Sequence, residues 1–287
     1  MKKVLLIATA VALTFTVACK KKETKTTAAP ETAPTTYTKK GIIEYFSGAW
    51  CGYCPDGWIY ATNIMNANVG KVTAVVIHNS DLMSTPDGDV VDKAFNKAGY
   101  PTGMTSRVGG TTVSRTSWAG SMTAVLGEKA KCGLAIDATA NTGGDYTVKV
   151  KLGIGAADLP SGTYSLMVYA VAKQLTGAGT GWDQRNYYSK NSSSAGGASH
   201  PFYNLTDPIV GYLHHNALRG ALGGSTGTAV TLAQLKAGAI SNFTFDWTPD
   251  NGANCFFIAF LTEQTGTSSS YVYNCQWVDA GSNKAWD

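Results

Sequence analysis

Two cysteines three residues apart, Cys51 and Cys54, follow the apolar run of residues 41–46 and open a stretch whose Trp58, Ile59, Ile64 and Met65 have helical spacing. At a helix N-terminus the first thiol of such a pair lies over unpaired backbone N–H groups and the positive end of the helix dipole, which favour a thiolate. Cys51 would then attack a disulfide, and Cys54, one turn on, would resolve the mixed disulfide. The same spacing is also half of a zinc site, but no second pair and no suitably spaced histidine completes one, so neither a metal nor a cofactor is expected.

Other residues gather around the pair in sequence. Trp50 precedes Cys51, Gly52 and Tyr53 separate the cysteines, and a Tyr100-Pro101-Thr102 loop follows about fifty residues later. This arrangement resembles the thioredoxin superfamily, with a dipeptide closer to that of disulfide isomerases. The resemblance implies that Pro101 is a cis-proline whose loop lies against the cysteines and offers a partner's extended chain a strand to pair with; a plain turn proline is the alternative. Trp50, Tyr53, Tyr100 and Thr102 would form the rim that meets the partner. Glu44 lies near the place of the superfamily's buried acid, with one residue more before Cys51 than the common pattern. Buried beneath the pair, it would have a raised pKa suited to proton transfer; otherwise it is a solvated strand carboxylate.

Competing constellations are weaker. His214 and His215 are adjacent, and neighbours on a strand point to opposite faces, so one core and one surface histidine is expected. Asp81, Asp87, Asp89 and Asp92 do not match a calcium loop; a turn at residues 86–88 with Asp89 as a helix cap accounts for most of them. No phosphate loop and no nucleophile elbow is present.

The elements that must position the pair alternate. A strand at Ile42–Phe46, a helix from Cys54 to Asn68 and a buried strand at Lys71–His78 predict a parallel βαβ unit. A helix from Val90 to Lys97, a short strand near Met104–Val108 and a helix from Trp118 to about Ala130 complete it. Beyond residue 131, alternating runs such as Tyr146–Ile154 and continuous apolar runs such as Tyr164–Ala172 predict about seven strands, hence a β-sandwich of immunoglobulin-like architecture. The expected fold is an α/β thioredoxin-like domain at 39–130 followed by an all-β immunoglobulin-like sandwich at 131–287. Residues 176–204 form a long Gly- and Ser-rich segment carrying aromatics, read as a binding loop or a mobile connection.

Of the remaining cysteines, Cys255 and Cys275 flank a turn-like stretch; a hairpin centred near residue 265 would set them opposite each other, so a structural disulfide is predicted there. Cys132 is left as a buried small hydrophobe.

The chain begins with Lys2 and Lys3, a 15-residue apolar run from Val4 to Ala18, and Cys19. That is an export signal at 1–19, and small residues before a cysteine match a lipoprotein cleavage box in which Cys19 becomes the lipid-bearing end, although Thr16 stands where Leu is usual; an ordinary secretory signal is the alternative. Residues 20–38, rich in Lys, Thr, Ala and Pro, have no apolar periodicity and read as a disordered tether. Eight lysines precede residue 41; from there on, the chain's 23 basic and 19 acidic residues reduce to 15 and 17, so the net charge of +4 belongs to the tether and nothing suggests nucleic acid as partner.

The signal, the tether, the strand before Cys51, the Pro101 loop with Arg107 after it, and the run from His215 through Asn216, Leu218 and Arg219 to Leu222 together resemble the outer-membrane-protein-28-related lipoproteins of Gram-negative bacteria. The resemblance implies an outer-membrane lipoprotein. Two functions follow: a membrane-tethered thiol-disulfide oxidoreductase acting on protein thiols and disulfides of the envelope, or a surface adhesin or receptor in which the Cys51–Cys54 pair is a static disulfide.

Overall fold

The computed structural model describes residues 31–250, 254–265 and 268–287; the signal, Cys19 and the first part of the tether lie outside the described residues. β1 (Gly41–Ser47), α1 (Cys54–Ala67) and β2 (Val72–His78) form the expected unit, with β1 and β2 parallel from Gly41/Val72 to Ser47/His78. Pro55 in the first turn of α1 has its φ already set for a helix and no N–H to leave unpaired. α2 (Pro86–Ala94) starts earlier than Asp89, because Thr85 caps it: its hydroxyl accepts from the Gly88 amide at 3.0 Å, while Asp87 and Asp89 lie in the first turn, where the helix dipole favours acids. β3 (Thr102–Thr105) runs antiparallel to β1, and α3 (Trp118–Leu126) follows.

The remaining strands are β4 (Cys132–Ala140), β5 (Tyr146–Ile154), β6 (Thr163–Leu175), β7 (His214–Leu222), β8 (Thr228–Val230), β9 (Ile240–Trp247), β10 (Cys255–Thr265), β11 (Ser268–Asp279) and β12 (Asn283–Lys284). They do not form a sandwich of their own. One eight-stranded sheet has the order β11-β10-β6-β7-β2-β1-β3, with β8 added on β6, and a second sheet has the order β12-β4-β5-β9. In the large sheet the two halves of the chain are joined by the parallel bridge of Val76 on β2 to Ala217 on β7. At its other side, Ser106 after β3 donates its amide to Ile42 of β1 at 2.7 Å and accepts from Val272 of β11 at 2.9 Å, so the large sheet curls until its edges meet.

This arrangement overturns the expected fold class. In place of an α/β thioredoxin-like domain followed by an immunoglobulin-like sandwich, the structure is mostly β, has three α-helices among the described residues, and shares one sheet between both halves. The curled sheet encloses a single apolar cluster to which β1 contributes Ile42 and Phe46, β6 contributes Met167 and Tyr169, and β10 contributes Ile258 and Phe260. Outside it, β1 and β2 pack Ile43, Tyr45, Ala74 and Val76 against α1 and α3, and β6 and β10 pack their other faces on the four-stranded sheet. Residues 32–287 form one compact unit. Alternation along each strand assigns neighbouring residues to different cores.

The same alternation corrects the predicted Cys255–Cys275 disulfide. The β10–β11 hairpin pairs Phe260 with Cys275 and Phe256 with Asp279, so its centre lies past residue 265 and Cys255 is displaced from Cys275 along the ladder. The two also face different clusters, Cys255 the space between the sheets and Cys275 the interior of the curled sheet. Cys132, Cys255 and Cys275 are buried free thiols; burial pushes Cys132 and Cys275 up to about 12, which keeps them protonated and inert.

Candidate functional site

β1 and β2 run side by side, and the segments leaving their C-terminal ends carry the predicted site. A sharp turn of residues 48–53, held by the Cys51 amide on the Gly48 carbonyl at 3.0 Å, brings Cys51 to the start of α1, and Cys51 and Cys54 are joined in a disulfide. Only 5 % of Cys51 and 2 % of Cys54 are exposed. The predicted rim surrounds them. Trp50 and Tyr53 are each more than two-fifths exposed, Trp50 meets Tyr100 edge to face with ring centroids 5.2 Å apart, and its indole N–H donates to the Asn79 carbonyl at 2.7 Å. The Tyr100–Pro101 peptide is cis. Tyr53, Tyr100, Pro101, Thr102 and Arg115 line a groove of about 480 Å3.

Glu44 is not beneath the pair. It points from β1 into the curled sheet, fully buried, while Tyr45 and Ile43 share the cluster of Cys51 and Cys54. Arg107 donates twice to the Glu44 carboxylate, each at 2.6 Å, and once to the Tyr169 hydroxyl at 2.9 Å, and that hydroxyl in turn reaches Glu44 at 3.0 Å. Burial works against the Arg107 charge, but Glu44 outweighs it and raises the guanidinium pKa. The extra residue between Glu44 and Cys51 reverses the face, because strand side chains alternate with period two. What lies beneath the pair is Tyr45, whose hydroxyl donates to the Cys54 carbonyl and whose ring packs on Gly57 so closely that a Cβ there would lie 2.6 Å from it.

The residues that cover the disulfide come from the long connection of β6 to β7, residues 176–213. The Gln184 side chain, buried, donates to the carbonyls of Ala49 at 3.1 Å and Cys51 at 2.9 Å. The Arg185 amide donates to Ala49 and the Tyr187 amide to Gly52, at 2.8 and 2.9 Å. The Tyr187 ring lies on Gly52, where an added Cβ would come within 2.3 Å of it, and Tyr53 meets Tyr187 and Tyr188 edge to face. A latch holds the connection to α1: Asp56 accepts from Arg115 and pairs with His200 at 3.1 Å, Tyr188 accepts from Arg115 at 3.1 Å, and Tyr188 stacks on His200. The segment is therefore a strap over the cysteines. Its Gly and Ser content hides this in the sequence; its aromatics and its length were the available signal.

On the inner side of Cys54 lies a water-sized space bordered by Ser47, His78, Gln184, Tyr212 and His214. His78 Nδ1 is 2.7 Å from Asp81. Burial opposes the Asp81 charge, but the hydrogen bond and charge of His78 and the amides of Ala49 and Met83 hold the carboxyl below its usual range. His214 donates through Nε2 to the Trp182 carbonyl at 2.8 Å, and burial, with the nearby His78, lowers its pKa to about 4. His215 is half-buried, stacks on Trp58 and borders the same space, and burial lowers its pKa, so His214 is a core residue but His215 is not the surface histidine expected. No group of three metal-ligating side chains occurs among the described residues.

The overall fold is shared with solved structures of low sequence identity. HBP35 of Porphyromonas gingivalis superposes with a TM-score of 0.62 at 17 % identity, over 85 % of this chain and 76 % of that one. Protein AGR_C_4864 from Agrobacterium tumefaciens superposes at 0.53 and 11 % identity, over 85 % of this chain and 96 % of that one. No curated protein matches the sequence. The family model for the outer membrane protein Omp28 matches residues 88–284, and the chain belongs to that family. The match includes Pro101, Arg107, the strap and β7, and begins after the cysteine pair. Membership puts the protein among outer membrane proteins of the envelope; no described helix is long and apolar enough to cross a membrane.

Proposed function

We propose that the protein is a lipid-anchored binding protein of the outer membrane, of adhesin or receptor type, in which Cys51–Cys54 is a structural staple. One observation carries this reading: both cysteines are buried, and Gln184 and Tyr187 bond the strap directly over them. A thiol that exchanges with protein disulfides needs an open approach for the attacking sulfur. The staple fixes the turn of residues 48–53, the turn anchors the strap, and the strap with Trp50, Tyr53 and Tyr187 presents an aromatic surface beside the groove at Pro101. Aromatic side chains of this kind supply much of the contact energy in protein recognition. The partner is a protein of the envelope or of another cell surface, met by an extended apolar segment, and the acyl chain on Cys19 keeps the binding face tethered. Redox titration tests this: a staple has a potential below about −300 mV, whereas a value near −200 mV with partners trapped by Cys54→Ala sinks it.

Thiol-disulfide exchange is the second reading, favoured by the position of Cys51 just before the first turn of α1, where backbone N–H groups stabilise a thiolate. In it a dithiol of the envelope first reduces the Cys51–Cys54 disulfide after the strap moves and leaves oxidised; the Cys51 thiolate then attacks a partner disulfide, releasing one partner thiol, and Cys54 attacks the mixed disulfide, releasing the second partner thiol and restoring the Cys51–Cys54 bond. Deleting the strap contacts of Gln184 and Tyr187 would then accelerate exchange, and an unchanged rate removes this reading.

A further inference from the structure

The opposite end of the molecule carries a feature that the binding reading does not use. At the N-terminal ends of β1 and β2, a groove of about 720 Å3 is lined by residues 35–39 of the tether, by Lys71, and by Lys129 and Lys131 just beyond α3. The tether is fixed there. The Thr35 carbonyl accepts from Ala156 at 3.2 Å, the Thr38 amide donates to the Asp287 carbonyl at 2.9 Å, and the Tyr37 ring lies on Gly133, where a Cβ would come within 2.0 Å.

The charges in this groove do not cancel. Its two acids are engaged: Glu128 accepts from the Tyr271 hydroxyl and lies 3.7 Å from the buried Lys39 amine, and Asp158 accepts from Lys236 at 2.9 Å and from the Ala237 amide at 2.8 Å. Lys39 spends its amine on the carbonyls of Val272 and Tyr273. Lys71, Lys129 and Lys131 are exposed and have no acidic partner among the described residues; the Lys131 amine rests 5.7 Å from the Tyr273 ring centroid. The chain from residue 41 on has 15 basic and 17 acidic residues, so this cationic cluster is a property of one end and not of the whole surface. Immediately upstream the sequence adds Lys20, Lys21, Lys22 and Lys25 against Glu23 and Glu31.

We propose that this lysine-lined groove docks on the anionic phospholipid headgroups of the membrane that holds the anchor. The inference rests on the proposed acyl chain at Cys19. Two arguments select a lipid surface as the occupant. The stretch from Cys19 to Thr32 spans at most about 45 Å when fully extended, so the groove stays close to the bilayer whatever the tether does. The three lysines are also exposed around an open groove and not gathered about a buried point, which suits a field of phosphates at a membrane surface more than a single buried anion. Docking would hold the molecule upright, with the strap and its aromatic surface at the far end of β1, roughly 20 Å away along the strand.

The test uses the full-length acylated protein reconstituted into vesicles of phosphatidylcholine alone or mixed with phosphatidylglycerol. Amine-reactive labelling of Lys71, Lys129 and Lys131 is read against Lys93 and Lys190 by mass spectrometry. The expected result is several-fold protection of the groove lysines in the anionic vesicles only, lost at high salt. In flotation of the unacylated chain with anionic vesicles, each Lys→Gln change at 71, 129 or 131 weakens binding about five-fold, and these exposed changes leave the thermal midpoint in place. Equal labelling in both vesicle types, or protection by neutral lipid as well, overturns the proposal. The mass of the N-terminal peptide separates the two claims. If acyl chains are missing, the anchor reading fails, and flotation of that same unacylated chain with anionic but not neutral vesicles, abolished in the triple Lys→Gln variant, still decides the groove.

Discussion

Glu44 and Tyr45 are consecutive in β1 and serve two different regions. Glu44 sits inside the curled sheet, in a buried triad with Arg107 and Tyr169, and Tyr45 faces α1 and the cysteine pair. The triad holds together residues far apart in the chain, and all three of its side chains are buried. The disulfide and its strap stand at the surface end of the same strand, with exposed aromatics around them. A carboxylate that the thioredoxin resemblance offers for proton transfer is, in space, half of a structural ion pair. Its neighbour supplies the contact to Cys54.

If the two regions are independent, changes to one should leave the other untouched. The largest effect is expected at Arg107. Arg107→Met leaves a fully buried carboxylate without its partner and should cost about 3–5 kcal/mol in chemical denaturation, while the Cys51–Cys54 potential stays where it was. A shift of that potential would mean the regions are coupled after all. Combining Arg107→Met with a strap variant should give additive losses within about 0.5 kcal/mol.

A smaller effect is expected from pH. His214 is held neutral, with a pKa near 4, and an unfolded histidine titrates near 6.5. Its folded pKa is the lower of the two, so the unfolded chain binds the extra proton between these values. Stability is therefore complete above about pH 6.5 and falls as pH drops toward 4, by up to about 3 kcal/mol. Asp81 has a depressed pKa and adds a loss at still lower pH, as its carboxylate takes up a proton. His214→Asn should flatten the profile between pH 6.5 and 4 in thermal melts across that range; an unchanged profile would place the titration elsewhere.

Losing the staple comes next. Replacing both Cys51 and Cys54 with Ala removes the constraint on a four-residue loop, worth about 2 kcal/mol in the chain-entropy account, and should raise protease cleavage within 176–213. The mildest change is Gln184→Leu. It removes one of two donors from each of the Ala49 and Cys51 carbonyls, which keep the Arg185 and Cys54 amides, so it should cost about 1 kcal/mol and loosen the strap while the staple persists, seen as faster hydrogen exchange at Tyr187 and Asn186. If cleavage and exchange in the strap do not respond to either change, the strap is held by the Asp56 latch and not by the cysteine turn.

Local order was readable from the sequence. The spacing of Ile42, Phe46, Trp58 and Val75 set β1, α1 and β2 in place, and the alternation at Tyr146–Ile154 set β5. What escaped was the side to which each strand faces and what each strand pairs with. A one-residue offset decides whether Glu44 lies above or below the sheet. A two-residue shift in the β10–β11 turn separates Cys255 from Cys275. The bridge of Val76 to Ala217, which joins the two halves into one sheet, spans a separation that no local pattern encodes. The strap was unreadable for a different reason: its hold on the cysteine turn runs through backbone amides and one glutamine, and such contacts leave no periodicity.

The bond from the Thr38 amide to the Asp287 carbonyl brings the beginning and the finish of the folded chain to one spot. A reporter fused after Asp287 would therefore emerge beside Thr38, whereas an insertion at the exposed turn of residues 141–145 would lie at the far end of the β4–β5 ladder. The same closeness suits the chain to circular permutation, with the old ends joined by a short linker and new ones opened at that turn.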